Sequence, residues 1–358
     1  MLRAAHVIPY LVDIGSLPAE YMAAGDASVV DVSRRNRNFR ISRPGGPSFV
    51  LKQGGGPGSP STLAIEAAVY EHAWRIDPAG ALDRLPRLVW YDSGRDILVT
   101  ESLEESENLS RYHRRLGRFP ARIGGQLGLA LAWVHLLQPP VRTGSFLPED
   151  PPWVLGIHEP TLAFLRELSA ANLRLIRIIQ SAPELGRALD RLRSDWQGGS
   201  IVHNDLKWDN IIVVPPESGS PGRVRLLDWE LAARGDPGWD VGAVLAAYLE
   251  AWLLSMPVMP DQPLDELGQV ALHPLEMIWP AVREFWNAYT AEVGLPALEA
   301  RLFLFRSVRY CAARLLQTAY ESSQLAGELN ASAVILVQAS VNIFRRPSQA
   351  ASHLLGLH

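Results

Sequence analysis

At 358 residues, with 47% hydrophobic and 20% charged residues, the chain has the composition of a folded globular protein of one large or two ordinary domains. Its net charge of −4 provides no overall positive field for phosphate backbones or anionic lipid, so neither a nucleic acid nor a membrane is an expected partner. A single cysteine, Cys311, excludes an intramolecular disulfide and a cysteine-only metal cluster and fits a reducing cytoplasm.

His6, Pro9 and Asp13 interrupt the opening MLRAAHVIPYLVDIG, so no export leader is expected there. From Val29 to Val50 the runs VVDVS, FRIS and SFVLK are rich in β-formers and separated by polar or turn-forming residues, which predicts antiparallel strands. A Gly/Pro/Ser stretch from Gly54 to Ser61 reads as a flexible connection. It precedes LAIEAAVYEHAW, where Leu63, Ala67, Tyr70 and Trp74 recur at helical spacing. LPRLVWYDSG and RDILVTESL supply two more strands around a turn at Asp92 to Arg95.

After Ser102 the pattern becomes helical in ARIGGQLGLALAWVHLL, EPTLAFLRELSAANLRLIRIIQ and ELGRALDRLRSDW. Between Ser200 and Asp228 the runs IIVV and VRLL flank PPESGSPG and predict a hairpin. Helices resume from Val241. The apolar run Val241 to Met259 contains Glu250 and Pro257 and reads as a buried helix, not a membrane span. The tryptophans Trp208, Trp229, Trp239 and Trp252 read as core or pocket wall.

Chemistry concentrates in SIVHNDLKWDNIIVV. A polar octet, His203 to Asn210, lies between two apolar flanks, and LLDWE places Asp228 at the end of the second hairpin strand. Asp205, Asn210 and Asp228 thus bring three oxygen-bearing side chains to one hairpin. Hard oxygen ligands for Mg²⁺ and a carboxylate beside an acceptor hydroxyl are what phosphoryl transfer from a nucleotide requires. Lysine usage points the same way, because only Lys52 and Lys207 among the 34 basic residues are lysine. A lysine retained against such a bias marks a place where the wide, planar guanidinium does not substitute.

HNDLKWDN followed by LLDWE and GDPGWD resembles the aminoglycoside phosphotransferase and choline kinase branch of the protein-kinase-like fold. The resemblance covers the whole chain in order and implies an α+β, two-lobed architecture. A small β-rich N-lobe with one main helix would span residues 1–101. A larger helical C-lobe would span 102–358, with the catalytic loop in 200–240 and an acceptor-binding helical region in 241–358. It also implies ATP and Mg²⁺ as cofactors. Asp205 would be the catalytic base or hydroxyl-orienting carboxylate, Asn210 and Asp228 the magnesium ligands, and His203 and Asp240 the supports of the loop. Lys52 would contact the α- and β-phosphates and pair with a helix glutamate, Glu66 being favoured over Glu71. Thr100, Glu101 and Ser102 would form the hinge that meets adenine.

Two departures from the family pattern stand out. The loop SRRNRNF, Ser33 to Phe39, contains no glycine where the family covers phosphates with one. Arg34, Arg35 or Arg37 either contacts phosphate there or belongs to a solvated turn, and Arg35 is the one carried as a nucleotide contact. Lys207, two residues after Asp205, is placed to neutralise charge on the transferred phosphoryl group. The leading expectation is an ATP-dependent kinase acting on a hydroxyl of a small molecule, an aminoglycoside-like compound, amino alcohol or sugar. Acids such as Glu250, Asp261, Asp265, Glu266 and Glu276 accompany arginines in the acceptor region. A Ser/Thr kinase acting on a peptide is the second reading, favoured by Lys207 and the basic loop, and a pseudokinase scaffold is the third.

Overall fold

The computed structural model describes residues 2–20, 27–33, 36–43, 46–54, 61–103, 105–139, 147–215, 222–257 and 271–358. Arg34, Arg35, most of the Gly54 to Ser61 connection, most of PPESGSPG, and Asp261, Asp265 and Glu266 lie outside these residues. Two compact units emerge, one comprising Met1–Tyr112, Pro140–Leu147 and Asp209–Ala232, the other His113–Pro139, Pro148–Trp208 and Ala233–His358.

In chain order the first elements are α1 (Ala4–Asp13), β1 (Ser28–Asp31), β2 (Arg37–Ser42), β3 (Phe49–Gln53), α2 (Thr62–Ile76), α3 (Pro78–Arg84), β4 (Leu88–Asp92) and β5 (Ile97–Glu101). Next come β6 (Glu107–Asn108), α4 (Leu109–Leu116), α5 (Ala121–Leu136), α6 (Leu162–Arg166), α7 (Ala170–Gln180) and α8 (Pro183–Ser194). The remainder is β7 (Ser200–Val202), β8 (Ile211–Val214), β9 (Arg223–Leu226), β10 (Ala233–Gly235), α9 (Pro237–Leu253), α10 (Leu275–Val293), α11 (Ala297–Ser322) and α12 (Ala331–Arg345).

The first unit is built on an antiparallel sheet of order β1-β2-β3-β5-β4. Because strand side chains alternate between faces, its register sorts them. Phe39 pairs with Leu51 and Leu51 with Val99, and these, with Ile41, Phe49 and Ile97, form one buried face covered by Val7, Tyr10 and Leu11 of α1. On the opposite face Val50 pairs with Thr100 and Lys52 with Leu98. α2 packs on β4 and β5. The sequence reading contained no α1; a helix forms there with Pro9 inside it and with Val7, Tyr10 and Leu11 buried. The predicted hairpin is present as β8 and β9, paired from Ile211 with Leu226 to Val214 with Arg223, and β6 adds to its edge.

The second unit is mainly helical. α9, with Glu250 inside it, buries twelve of its seventeen residues, chiefly against α11. Its boundaries differ from the apolar run read in the sequence. Asp236 caps the start by accepting from the Gly238 amide at 2.8 Å, and the helix ends at Leu253. The run EPTLAFLRELSAANLRLIRIIQ is broken in two. The Ser169 hydroxyl accepts from the Asn172 amide at 3.0 Å and donates to the Ser323 carbonyl at 2.7 Å, starting α7 afresh. Among the described residues no helix is long and apolar enough to cross a membrane.

α5 and α10 pack closely because Gly124 and Gly128 remove the side chains that would separate their backbones. A β-carbon on Gly128 would meet the Phe285 carbonyl and, at 3.0 Å, the Tyr289 amide nitrogen. Gly128→Val is expected to cost about 2 kcal/mol and to lower the thermal midpoint by on the order of 5 °C. Gly199→Ala, at a site with open space around it, is the control and should leave the midpoint unchanged in scanning calorimetry.

Candidate active site

In the first unit, β3 aims Lys52 at α2. Its Nζ lies 2.8 Å from Glu66 Oε2, 2.9 Å from Glu66 Oε1 and 2.6 Å from Asp228 Oδ1. Glu66 belongs to the buried face of α2 with Leu63, Ala67 and Tyr70, whereas Glu71 is exposed. The Tyr70 hydroxyl donates to Glu66 Oε1 at 3.0 Å. Burial favours the neutral amine of Lys52, but the carboxylates of Glu66 and Asp228 outweigh it and hold its pKa above the ordinary lysine value.

Asp228 follows β9 in the left-handed region, at φ 66°, a conformation that aspartate tolerates better than most side chains. The turn is held on both sides. Leu227 donates its amide to the Asn210 carbonyl at 2.8 Å, and the fully buried Trp229 donates its indole N–H to the Leu226 carbonyl at 3.3 Å. These bonds make Asn210, which is 6% exposed, and Asp228 neighbours at the base of the hairpin. Their side chains offer hard oxygen donors of the kind that Mg²⁺ selects.

A cavity opens beside Lys52, lined by Val50, Thr100, Ile212, Leu227 and Asp228 and by the segment Glu101 to Leu103. Apolar walls end at a cluster of charge. Thr100 shares the Lys52 face of the sheet, while Glu101 alternates to the other face, where Arg225 Nη1 meets its Oε1 at 2.7 Å. The amides of Glu101 and Ser102 are bonded to the Arg87 and Ser48 carbonyls, at 3.0 and 2.8 Å. Arg37 pairs with Gln53 on the α1 face, and its guanidinium donates to the Leu2 carbonyl at 2.6 Å, so it does not share the face of Lys52. Arg35 lies outside the described residues.

In the second unit, β7 leads into the polar octet, whose backbone is gripped by one buried carboxylate. Asp240 Oδ2 accepts from the His203 amide at 2.6 Å and Oδ1 from the Asn204 amide at 3.1 Å. Asn204 is itself left-handed at φ 67°. His135 Nε2 lies 3.3 Å from Asp240 Oδ2, and its Nδ1 lies 2.8 Å from the Tyr289 hydroxyl. Burial alone would raise the Asp240 pKa, but the bonds from His135 and the His203 amide hold it below the usual aspartate value. On the loop so held, Lys207 Nζ donates to Asp205 Oδ2 at 2.7 Å. Leu206 between them is buried. Trp208 packs edge-on against His113 at 4.6 Å between ring centroids and against Tyr248 at 5.5 Å, and burial pushes the His113 pKa down to about 3, so that ring is neutral.

Sequence reasoning missed the ring of aromatic residues under Trp208, the Arg225 partner of Glu101, and Tyr289. None carries a local motif. The helix ARIGGQLGLALAWVHLL buries His135, which places a polar ring in the interior where it needs a partner, and Asp240, already singled out through GDPGWD, is that partner.

Known proteins resemble this chain along most of its length. A sequence model of the family described as "Phosphotransferase enzyme family" matches residues 26–283. A solved choline/ethanolamine kinase family protein from Mesorhizobium loti superposes with TM-score 0.54 at 16% identity, covering 95% of each chain. A candidate fructosamine-3-kinase from Thermobifida fusca gives TM-score 0.50 at 17% identity, covering 89% of this chain and 93% of the other. At these identities the likeness is one of fold: a small antiparallel sheet lobe and a helical lobe of the protein-kinase-like type. Acyl-CoA dehydrogenase family member 10 of Mus musculus is 30% identical over 128 residues, 36% of this chain. The match spans 11% of that protein's length.

The depressed pKa of Asp240 has a consequence for acid stability. A group whose folded pKa lies below its unfolded value of 3.8 stabilises the fold above that value, and the contribution is lost as pH falls through the folded pKa. Asp240→Asn should cost about 2–3 kcal/mol at neutral pH by weakening the loop's backbone contacts. Denaturant unfolding from about pH 6 down to about pH 3 should then show a flatter acid limb in the variant than in the unsubstituted protein.

Proposed function

Because the chain belongs to the phosphotransferase enzyme family, and so is a kinase that moves phosphate to a hydroxyl, we propose that ATP with Mg²⁺ is its donor and a small molecule its acceptor. The observation that carries this reading is the Lys52 ammonium held between Glu66 and Asp228 at the charged end of an apolar-walled cavity. Residues 1–101 supply the nucleotide-binding lobe and residues 102–358 the catalytic and acceptor-binding part.

Val50, Ile212 and Leu227 offer the apolar surface on which adenine stacks, and the segment Glu101 to Leu103 runs along the edge of the base. With the Glu101 and Ser102 amides already bonded, the Glu101 carbonyl and the backbone of Leu103 are the hinge groups assigned to adenine. Lys52 donates to the α- and β-phosphate oxygens, while Glu66 keeps its ammonium in place. Asn210 and Asp228 hold the magnesium, which when bound neutralises phosphate charge. Asp205 orients the acceptor hydroxyl and takes its proton. Lys207, already beside Asp205, offsets negative charge on the phosphoryl oxygens in transit. Asp240 and His203 keep the loop in the shape that this requires. The buried free thiol of Cys311 suits a cytoplasmic setting.

Asp205→Asn should lower phosphoryl transfer by about 10²–10⁴-fold while MgATP affinity stays within about threefold. Label from γ-labelled MgATP, incubated with a cell extract and separated by size, should appear in the small-molecule fraction with the unsubstituted enzyme and vanish with Asp205→Asn. Label in a polypeptide instead, lost with the same substitution, would replace the small-molecule acceptor with a peptide.

A further inference from the structure

Lys52, Glu66 and Asp228 belong to three separate segments, and a single oxygen ties those segments together. Glu230 Oε2, two residues past Asp228, accepts from the Thr62 hydroxyl at 3.2 Å and from the Asn36 side-chain amide at 2.6 Å. Thr62 is the first residue of α2, one turn before Glu66 and so on the same side of the helix. Asn36 immediately precedes β2, whose Asn38 pairs with Lys52 in the sheet. The contacts therefore close into a ring from Asp228 to Lys52, Lys52 to Glu66, along α2 to Thr62, across to Glu230 and back to Asp228 through Trp229.

We propose that Glu230 is a positioning residue for nucleotide binding, acting through its Oε2 as a hydrogen-bond acceptor that sets α2 and the start of β2 against the Asp228 turn. This rests on the assignment of Lys52 and Asp228 to the nucleotide. The buried indole of Trp229 anchors the turn, so the side chain of Glu230 is presented to its two donors from a fixed base. Asp228 sits in a left-handed conformation that needs support from its surroundings, and the contacts of Glu230 lie two residues away. What the ring controls is the convergence of both carboxylates on one ammonium, and so the phosphate end of the site; the adenine end, formed by Val50, Ile212 and Leu227, is not part of it.

The test is calorimetric titration with the magnesium complex of a non-hydrolysable ATP analogue and, separately, with adenosine. Glu230→Ala should weaken the analogue about tenfold and leave adenosine within about twofold, with Thr62→Val and Asn36→Ala each weakening the analogue about threefold. Glu230→Gln keeps an oxygen that accepts from both donors and should bind the analogue within about threefold of the unsubstituted protein. An unchanged affinity in Glu230→Ala would overturn the proposal. Equal losses in the Gln and Ala variants would overturn it too, by assigning Glu230 a role through its charge. Weakening of adenosine to the same extent as the analogue would reduce Glu230 to general support of the fold. Failure of the unsubstituted protein to bind the analogue would instead remove the nucleotide assignment of the site.

Discussion

A buried ammonium is costly unless opposite charge is arranged around it, and much of the first unit is arranged around one. Taking a charge out of water costs several kcal/mol, offset only by close, well-oriented partners. Lys52 is 14% exposed and finds Glu66 on a helix and Asp228 on a turn, each within 2.9 Å. The sheet register fixes where the lysine emerges, the helical period fixes which glutamate faces it, and the left-handed turn brings the aspartate in from the hairpin. Two carboxyl groups thus meet one ammonium at the end of the cavity.

The second unit applies the same physics with a carboxylate at the centre. Asp240 is fully buried and repays its desolvation by accepting from two consecutive backbone amides and lying beside His135. This makes the loop's shape a property of the protein interior. Asp205 and Lys207 stand on that loop with their side chains 16% and 47% exposed.

Both lysines of the chain meet carboxylates. The chemistry of the two cations explains why arginine, otherwise used throughout, does not take these places. At Lys52 three carboxylate oxygens converge on one nitrogen within 2.9 Å, a geometry for a compact point charge and not for a planar fork. Arginine appears instead where a longer reach is needed, as in Arg225 bridging the Leu85 carbonyl and Glu101.

Local chemistry made the strands, the hairpin and the polar octet legible. β-branched runs between turn formers, and hard oxygen donors crowded into eight residues, need no knowledge of distant contacts. Glu66 and Glu71 stand five residues apart and so on different faces of one helix, and in the structure only the former shares a face with Leu63, Ala67 and Tyr70. Other features depended on residues far apart in the chain. α1 persists despite Pro9 because the sheet face of Phe39, Leu51 and Val99 needs covering, and that burial outweighs the lost hydrogen bond. The long helical run breaks at Ser169, whose hydroxyl caps α7 at the Asn172 amide and also reaches the distant Ser323 carbonyl. The sequence by itself determined the residue types and spacings of the polar octet and of Asp228, and with them the chemistry those side chains can offer. Only the tertiary structure decided which of them share a face, which amides are already bonded, and that one oxygen of Glu230 joins two segments, because these are matters of distance between residues that the sequence keeps apart.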